Sequence, residues 1–132
     1  MSDKALADAV VAAARQAQAN AYAPYSNFRV GAALLAEDGS VHAGCNVENA
    51  SYGLTICAER SAIACAVAAG VQRFTAIAIA TPAPEPCPPC GMCLQTLSEF
   101  SEELDVYLVA DGQVEETTLR ALLPRTFDKN FL

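Results

Sequence analysis

An α/β architecture, with a mixed sheet of roughly five strands flanked by helices, is what this sequence predicts, and three observations predict it. Segments with apolar residues at helical spacing alternate with short runs rich in Val, Ile, Leu and Ala, in the order α-β-β-α-β-α-β-(β)-α. Two Asp-Gly pairs, Asp38-Gly39 and Asp111-Gly112, each follow a strand-like run and read as turns. The length of 132 residues suits one domain spanning residues 1–132. A domain of that size buries roughly two-thirds of its unfolded surface and needs no disulfides to fold.

The elements follow in order. Residues 3–19 carry Leu6, Val10 and Ala14 on one helical face, and Tyr22-Ala23-Pro24-Tyr25-Ser26 breaks the pattern. Phe28 to Leu35 reads as a strand, with Val41 to Val47 as its hairpin partner. Thr55 is the expected N-cap of a helix from Ile56 to Ala69 that ends at Gly70. Phe74 to Ala80 reads as a buried strand. The proline-rich stretch from Pro82 to Pro89 can only be a loop. A helix from about Cys90 to Phe100, a strand from Val106 to Ala110 and a short helix from Thr118 to Leu123 complete the chain.

Composition bounds the function. The chain is 53% hydrophobic, with 27 alanines and no tryptophan, and only 17% charged, which excludes intrinsic disorder. A net charge of −7 with eight thinly spread Lys and Arg offers no basic patch for a nucleic acid. The first residues, with Asp3 and Asp8, do not resemble a signal peptide, and no apolar run reaches the ~18 residues that span a bilayer. The expected location is therefore the cytoplasm, where thiols stay reduced. There, six clustered cysteines point to metal ligation or catalysis.

The chemistry concentrates in Cys57-Ala58-Glu59-Arg60 and Pro89-Cys90-Gly91-Met92-Cys93. A C-x-x-C pair at a helix start presents two sulfurs to one point, and a zinc site completes itself from a second element. Cys57, also in a first helical turn, supplies a third thiolate, and the positive ends of both helices would stabilise these anions. Three protein ligands leave a fourth zinc position open, as catalytic sites do. Glu59 stands beside the ligands as a general acid–base. Arg60 offers a compensating charge, although an ordinary salt bridge is the alternative.

These two motifs resemble the zinc site of the cytidine deaminases, in particular the short, homotetrameric, three-cysteine type. Zinc-dependent nucleobase deaminases share the same pattern, a ligand-x-Glu followed by Pro-Cys-x-x-Cys. The resemblance covers nearly the whole chain, through Tyr25 to Leu34, Asn46 to Gly53, and Leu122-Leu123-Pro124 with Phe127. It implies a three-layer arrangement with one Zn²⁺ per chain on Cys57, Cys90 and Cys93. The implied reaction is hydrolytic deamination of cytidine and 2′-deoxycytidine within pyrimidine salvage, by zinc-activated attack of water at C4 with Glu59 shuttling protons. It further implies that Asn46 and Glu48 bond the ribose 3′-hydroxyl, that Phe28 packs on the base, and that the Ala58 backbone reads the pyrimidine edge. Ala50, Tyr52 and Phe127 match positions that subunits of a homotetramer lend to one another. The family usually has Arg where this chain has Leu94, which leaves more of the charge compensation to Arg60.

Other readings of the same residues stand beside these. Cys87-Pro88-Pro89-Cys90 is itself a C-x-x-C and would give a four-thiolate structural site with Cys57 and Cys93; otherwise Cys87 is a free loop thiol. Cys45 and Cys65 read as small buried hydrophobes. The lone His42 reads as solvated. Taken singly, Phe28 would be core, Asn46 a strand-end stabiliser and Glu48 a solvated carboxylate, while Phe127 and Phe131 could seal the terminus. A deaminase of another aminopyrimidine nucleoside and a non-catalytic zinc-binding domain are the alternative functions. Glu59 and the open ligand position argue against the second.

Overall fold

The computed structural model describes residues 3–132. Helix α1 (Asp3–Gln18) leads into strands β1 (Gly31–Ala36) and β2 (Val41–Cys45), helix α2 (Ala58–Ala68) and strand β3 (Phe74–Ala80). Helix α3 (Gly91–Ser98), strands β4 (Asp105–Ala110) and β5 (Gln113–Thr118), and the one-turn helix α4 (Leu119–Leu122) follow. The strands form one sheet in the order β2-β1-β3-β4-β5, in which β3 and β4 are parallel and the other pairs antiparallel. The mixed, five-stranded, three-layer α/β prediction matches this architecture.

Alternation along the strands builds the layers. Ala33, Leu35, Ala76, Ala78, Ala80 and Val109 point to one face, where Val10 and Ala14 of α1 cover them. Leu34, Ile77, Ile79, Val106 and Leu108 point to the other, against Ala62, Ile63 and Ala66 of α2 and Leu94 and Leu97 of α3. The small residues have a purpose. A Cβ at Gly31 would collide with the backbone of α1 at Ala14 and Gln18, and one at Gly44 with the backbone of α2 at Ala62. Glycine there lets both helices seat directly on the sheet. The alanine-rich stripe of α2 is thus close packing.

Boundaries differ from expectation where a side chain or bridge intervenes. Thr55 does not cap α2. Val47 and Ile56 exchange two backbone hydrogen bonds of 3.0 Å in an antiparallel bridge, which holds Ile56 extended and moves the N-cap to Cys57. Strand β1 begins at Gly31 rather than Phe28, because the Asn46 side chain takes up the Phe28 carbonyl and the Val30 N–H in place of ladder partners. Cys65 is exposed, beside rather than on the buried stripe of α2, and Cys45 is only half-buried at the end of the edge strand β2, so neither is a core residue. His42 is half-buried, with Nε2 2.9 Å from the Ser40 hydroxyl.

Register decides where a site can form. Gly31 pairs with both Cys45 and Ala80, so residues before Gly31, after Cys45 and after Ala80 all leave the sheet at one edge. That edge also receives the starts of α2 and α3. Among the described residues no helix is long and apolar enough to cross a membrane.

Candidate active site

Helices α2 and α3 each begin with a cysteine at the N-cap, and neither cap has a side-chain hydrogen bond. The carbonyls of Cys57 and Cys90 accept the first helical bonds, from Ser61 and Leu94, both at 3.0 Å. The first-turn N–H groups therefore lack a capping oxygen, and the positive helix ends fall on the sulfurs instead. The Sγ atoms of Cys57, Cys90 and Cys93 all lie within 4.8 Å of one another. Cys87 is outside this group. Its thiol donates to the Pro88 carbonyl at 3.6 Å.

The donor set fits zinc. Thiolates are soft ligands that select zinc among common ions. The Cys57 thiol is lowered to about 5, foremost by the hydrogen bond from Cys93 and further by Arg60, against the opposing effect of burial. Cys93, wholly buried, is pushed up by its bond to Cys57, by burial and by the charges of Glu59 and Cys57. Thiols bind a metal as thiolates, so an ion held here would displace their protons. Arg60 Nη2 lies 3.8 Å from Cys57 Sγ and donates to the Thr55 carbonyl at 3.2 Å. Its buried Nε has no hydrogen-bond partner.

Glu59 is 5% exposed, and burial raises its carboxyl, with the Cys57 charge adding to the shift. A carboxyl raised in this way holds a proton more readily than an exposed one, as a proton-transfer group requires. It lines a cavity of about 200 Å³ together with Phe28, Asn46, Cys57, Ala58 and Cys90. Val30, Thr55, Ile79, Thr81, Cys87, Pro88 and Pro89 complete the walls. The hollows beside Arg120, beside Lys129 and against Leu6 of α1 contain neither Glu59 nor a cysteine.

Asn46 closes one side. Its Oδ1 accepts from Val30 N–H at 2.9 Å and its Nδ2 donates to the Phe28 carbonyl at 2.8 Å. A primary amide has a second lone pair and a second N–H, so half of its capacity remains for a ligand. Glu48 lines an adjoining cavity with Tyr25, Ser26, Asn49, Tyr52 and Thr55; Thr55 borders both. The Ser26 hydroxyl and the backbone N–H groups of Tyr25 and Ser26 hold Glu48 and keep its carboxyl below the ordinary range. Tyr52 is 77% exposed and packs edge-on against Tyr25 at 6.3 Å. Ala50 is exposed on the same loop. Phe127 lines neither cavity. It stacks on Phe131 at 5.7 Å, and its carbonyl accepts from Gln95 Nε2 at 2.6 Å.

One chain thus gathers Phe28, Asn46, Cys57, Ala58, Glu59, Arg60, Cys90 and Cys93, with Glu48 and Tyr52 next door. Sequence reasoning missed Ser26, Thr81 and the Thr55 carbonyl that holds Arg60. Ser26 had a local signal, since a serine two residues before an N–H often closes a small side-chain turn. The other two depend on tertiary placement.

Comparison with known proteins agrees with this geometry. The family model described as the cytidine and deoxycytidylate deaminase zinc-binding region matches residues 4–109. A cytidine deaminase of Sporosarcina psychrophila is 47% identical over 125 residues, covering 93% of this chain and 92% of the relative. One from Halalkalibacterium halodurans is 49% identical over 114 residues, covering 85% and 86%. The crystal structure of a cytidine deaminase from Burkholderia pseudomallei superposes with a TM-score of 0.88 at 47% identity, covering 96% of this chain and all of that one.

Proposed function

The chain belongs to the cytidine and deoxycytidylate deaminase family, and on that premise we propose that it hydrolyses cytidine and 2′-deoxycytidine to the uridines with release of ammonia. The observation that carries this reading is that a buried carboxyl, Glu59, shares one cavity with Cys57 and Cys90 of a three-thiolate cluster. Cys57, Cys90 and Cys93 would hold the zinc, which when bound supplies a Lewis acid for activating water.

The protein's own groups do the rest. Glu59 accepts the proton from water, passes it to N3 of the pyrimidine and then assists the departing amine; its raised carboxyl matches these exchanges. Water contributes oxygen at C4, and its two protons leave on N3 and the amine, so the atoms balance as nucleoside plus water to uridine plus ammonia. Ala58, at the first position of α2, has a backbone N–H without a helical partner to read the pyrimidine edge. Phe28, 40% exposed in the cavity wall, offers its face to the base. Asn46 retains one donor and one acceptor, and Glu48 one acceptor, for the ribose 3′-hydroxyl. The Glu48 charge repels phosphate, which favours a free nucleoside over a nucleotide.

The reading extends to assembly and setting: one deaminase domain over residues 1–132, acting in pyrimidine salvage in the cytoplasm, as a homotetramer with shared sites. Six free cysteines suit a reducing compartment. Exposed Tyr22, Tyr25, Val47, Tyr52, Leu54 and Ile56 around the site mouth give a second copy apolar surface to cover, and exposed Phe127 and Ala50 can then serve a neighbour. The testing experiment is an ultraviolet assay on cytidine, 2′-deoxycytidine, cytosine and CMP, paired with sedimentation to give the mass in solution. Turnover of the two nucleosides alone is expected. Turnover of CMP alone would refute the nucleoside reading.

A further inference from the structure

The rim of the site contains a hydroxyl to which the proposed function gives no role. The segment from Tyr22 to Val30 lies against the segment from Asn46 to Glu48, and backbone bonds of 3.0 and 2.9 Å join Tyr22 to Asn46 and Glu48. Within it, Ser26 Oγ donates to Glu48 Oε2 and accepts from Phe28 N–H at 3.0 Å. Asn27 between them has a φ of +58°, the left-handed region that Asn tolerates, which turns Phe28 N–H back onto the serine.

We infer that Ser26 is a positioning residue that ties the sugar end of the pocket to its base end, by fixing the Glu48 carboxylate and the Phe28 backbone through one oxygen. The inference rests on the cytidine reading above and deepens it. A serine hydroxyl has one proton to give. Here that proton is committed to Glu48, so the lone pairs are what remain for Phe28. The Glu48 carboxylate has about four acceptor positions. Tyr25 N–H at 2.9 Å, Ser26 N–H at 3.2 Å and the Ser26 hydroxyl take three. The last one is left open in a fixed direction, as a sugar hydroxyl requires. Asn46 clamps Phe28 and Val30 independently, so loss of the Ser26 hydroxyl would spare the loop and release only the alignment of Glu48 with Phe28. Ser26 does not line the cavity that holds Glu59, and its influence on the reaction runs through Glu48.

The experiment measures kcat and KM for cytidine and 3′-deoxycytidine in Ser26→Ala, in Glu48→Gln and in the double variant, with zinc content and thermal unfolding as controls. Ser26→Ala is expected to raise KM for cytidine about tenfold, the factor associated with one charge-assisted hydrogen bond, with kcat within about twofold. The preference for cytidine over 3′-deoxycytidine should fall by the same factor, and Ser26→Thr should restore both. In the Glu48→Gln background the serine change should add less than about twofold, because both act on one contact. Equal losses on the two substrates, full additivity with Glu48→Gln, or an unchanged KM would each overturn the inference. If the alanine variant does not fold, Ser26→Cys, which keeps the shape and weakens the bond, is read by the same criteria. A wild-type chain inactive on cytidine overturns the functional reading and this inference with it. A wild type active on cytidine with indifferent serine variants overturns the inference alone.

Discussion

The two ends of the pocket are held by different means. At the end where we propose the metal binds, here the metal end, Cys57, Cys90 and Cys93 sit at or within the first turn of two helices, and the sheet and its buried layers fix those helices. At the end where we propose the sugar binds, here the sugar end, Asn46, Glu48, Ser26 and Phe28 lie on irregular backbone, held by side chains that bond the opposite loop. Rigidity at the first end comes from packing, and geometry there can tolerate no shift because thiolates and a proton carrier must converge. Rigidity at the second comes from a few hydrogen bonds, each replaceable one at a time. Changes at the metal end should therefore be all-or-none in rate, and changes at the sugar end graded in binding.

The largest effects test the metal end. Cys93→Ser replaces the wholly buried thiol of the proposed ligand set and is expected to abolish both bound zinc, by metal analysis, and turnover. Glu59→Ala separates the two roles. It should retain zinc and lose at least ~10²-fold in kcat, the usual consequence of deleting a general acid–base group. A Glu59→Ala enzyme with normal kcat would break the contrast, since the end held by packing would then lack its chemical purpose.

The intermediate effect tests the sugar end. Asn46 is 9% exposed and joins two backbone groups that no strand ladder reaches. Asn46→Ala leaves Val30 N–H and the Phe28 carbonyl without those partners. Denaturant unfolding should show a loss of about 1–3 kcal/mol, typical of stranding part-buried polar groups. KM should rise more than kcat falls. A pure kcat defect would mean that this loop reports to the reacting atoms and not to the sugar.

The same contrast explains what could be read from the sequence. The metal end was legible because helix geometry turns spacing into proximity: Cys90 and Cys93 lie one turn apart, and Glu59 two residues from Cys57. The strands were legible because short apolar runs and Asp-Gly turns are local signals, and Gly112 does adopt a φ of +76°, whereas the layers came through resemblance. The sugar end was not, except through resemblance. Ser26 and Glu48 are 22 residues apart, and Phe28 and Asn46 are 18 apart; no local pattern announces that they meet. Thr55 shows the opposite failure. A residue with strong capping propensity lost its expected role to the Val47–Ile56 bridge. Cys65 failed because composition says how often cysteine is buried, whereas the phase of the helix decides whether this one is.

The smallest expected effect sharpens the contrast most, because Cys87 stands where the two ends meet. It lines the cavity with Glu59 and Phe28, yet its sulfur lies outside the three-thiolate group and bonds only to the adjacent Pro88 carbonyl. It is half-buried in a loop of prolines whose φ angles are already fixed, so removing the thiol frees little backbone. Cys87→Ala should therefore leave zinc at one per chain and change stability by no more than about 0.5 kcal/mol, as substitutions outside the core usually do. Zinc loss in this variant would move Cys87 into the ligand set. The site would then be a closed four-thiolate centre, Glu59 would have no open coordination position to serve, and the distinction between a catalytic end and a binding end would fail.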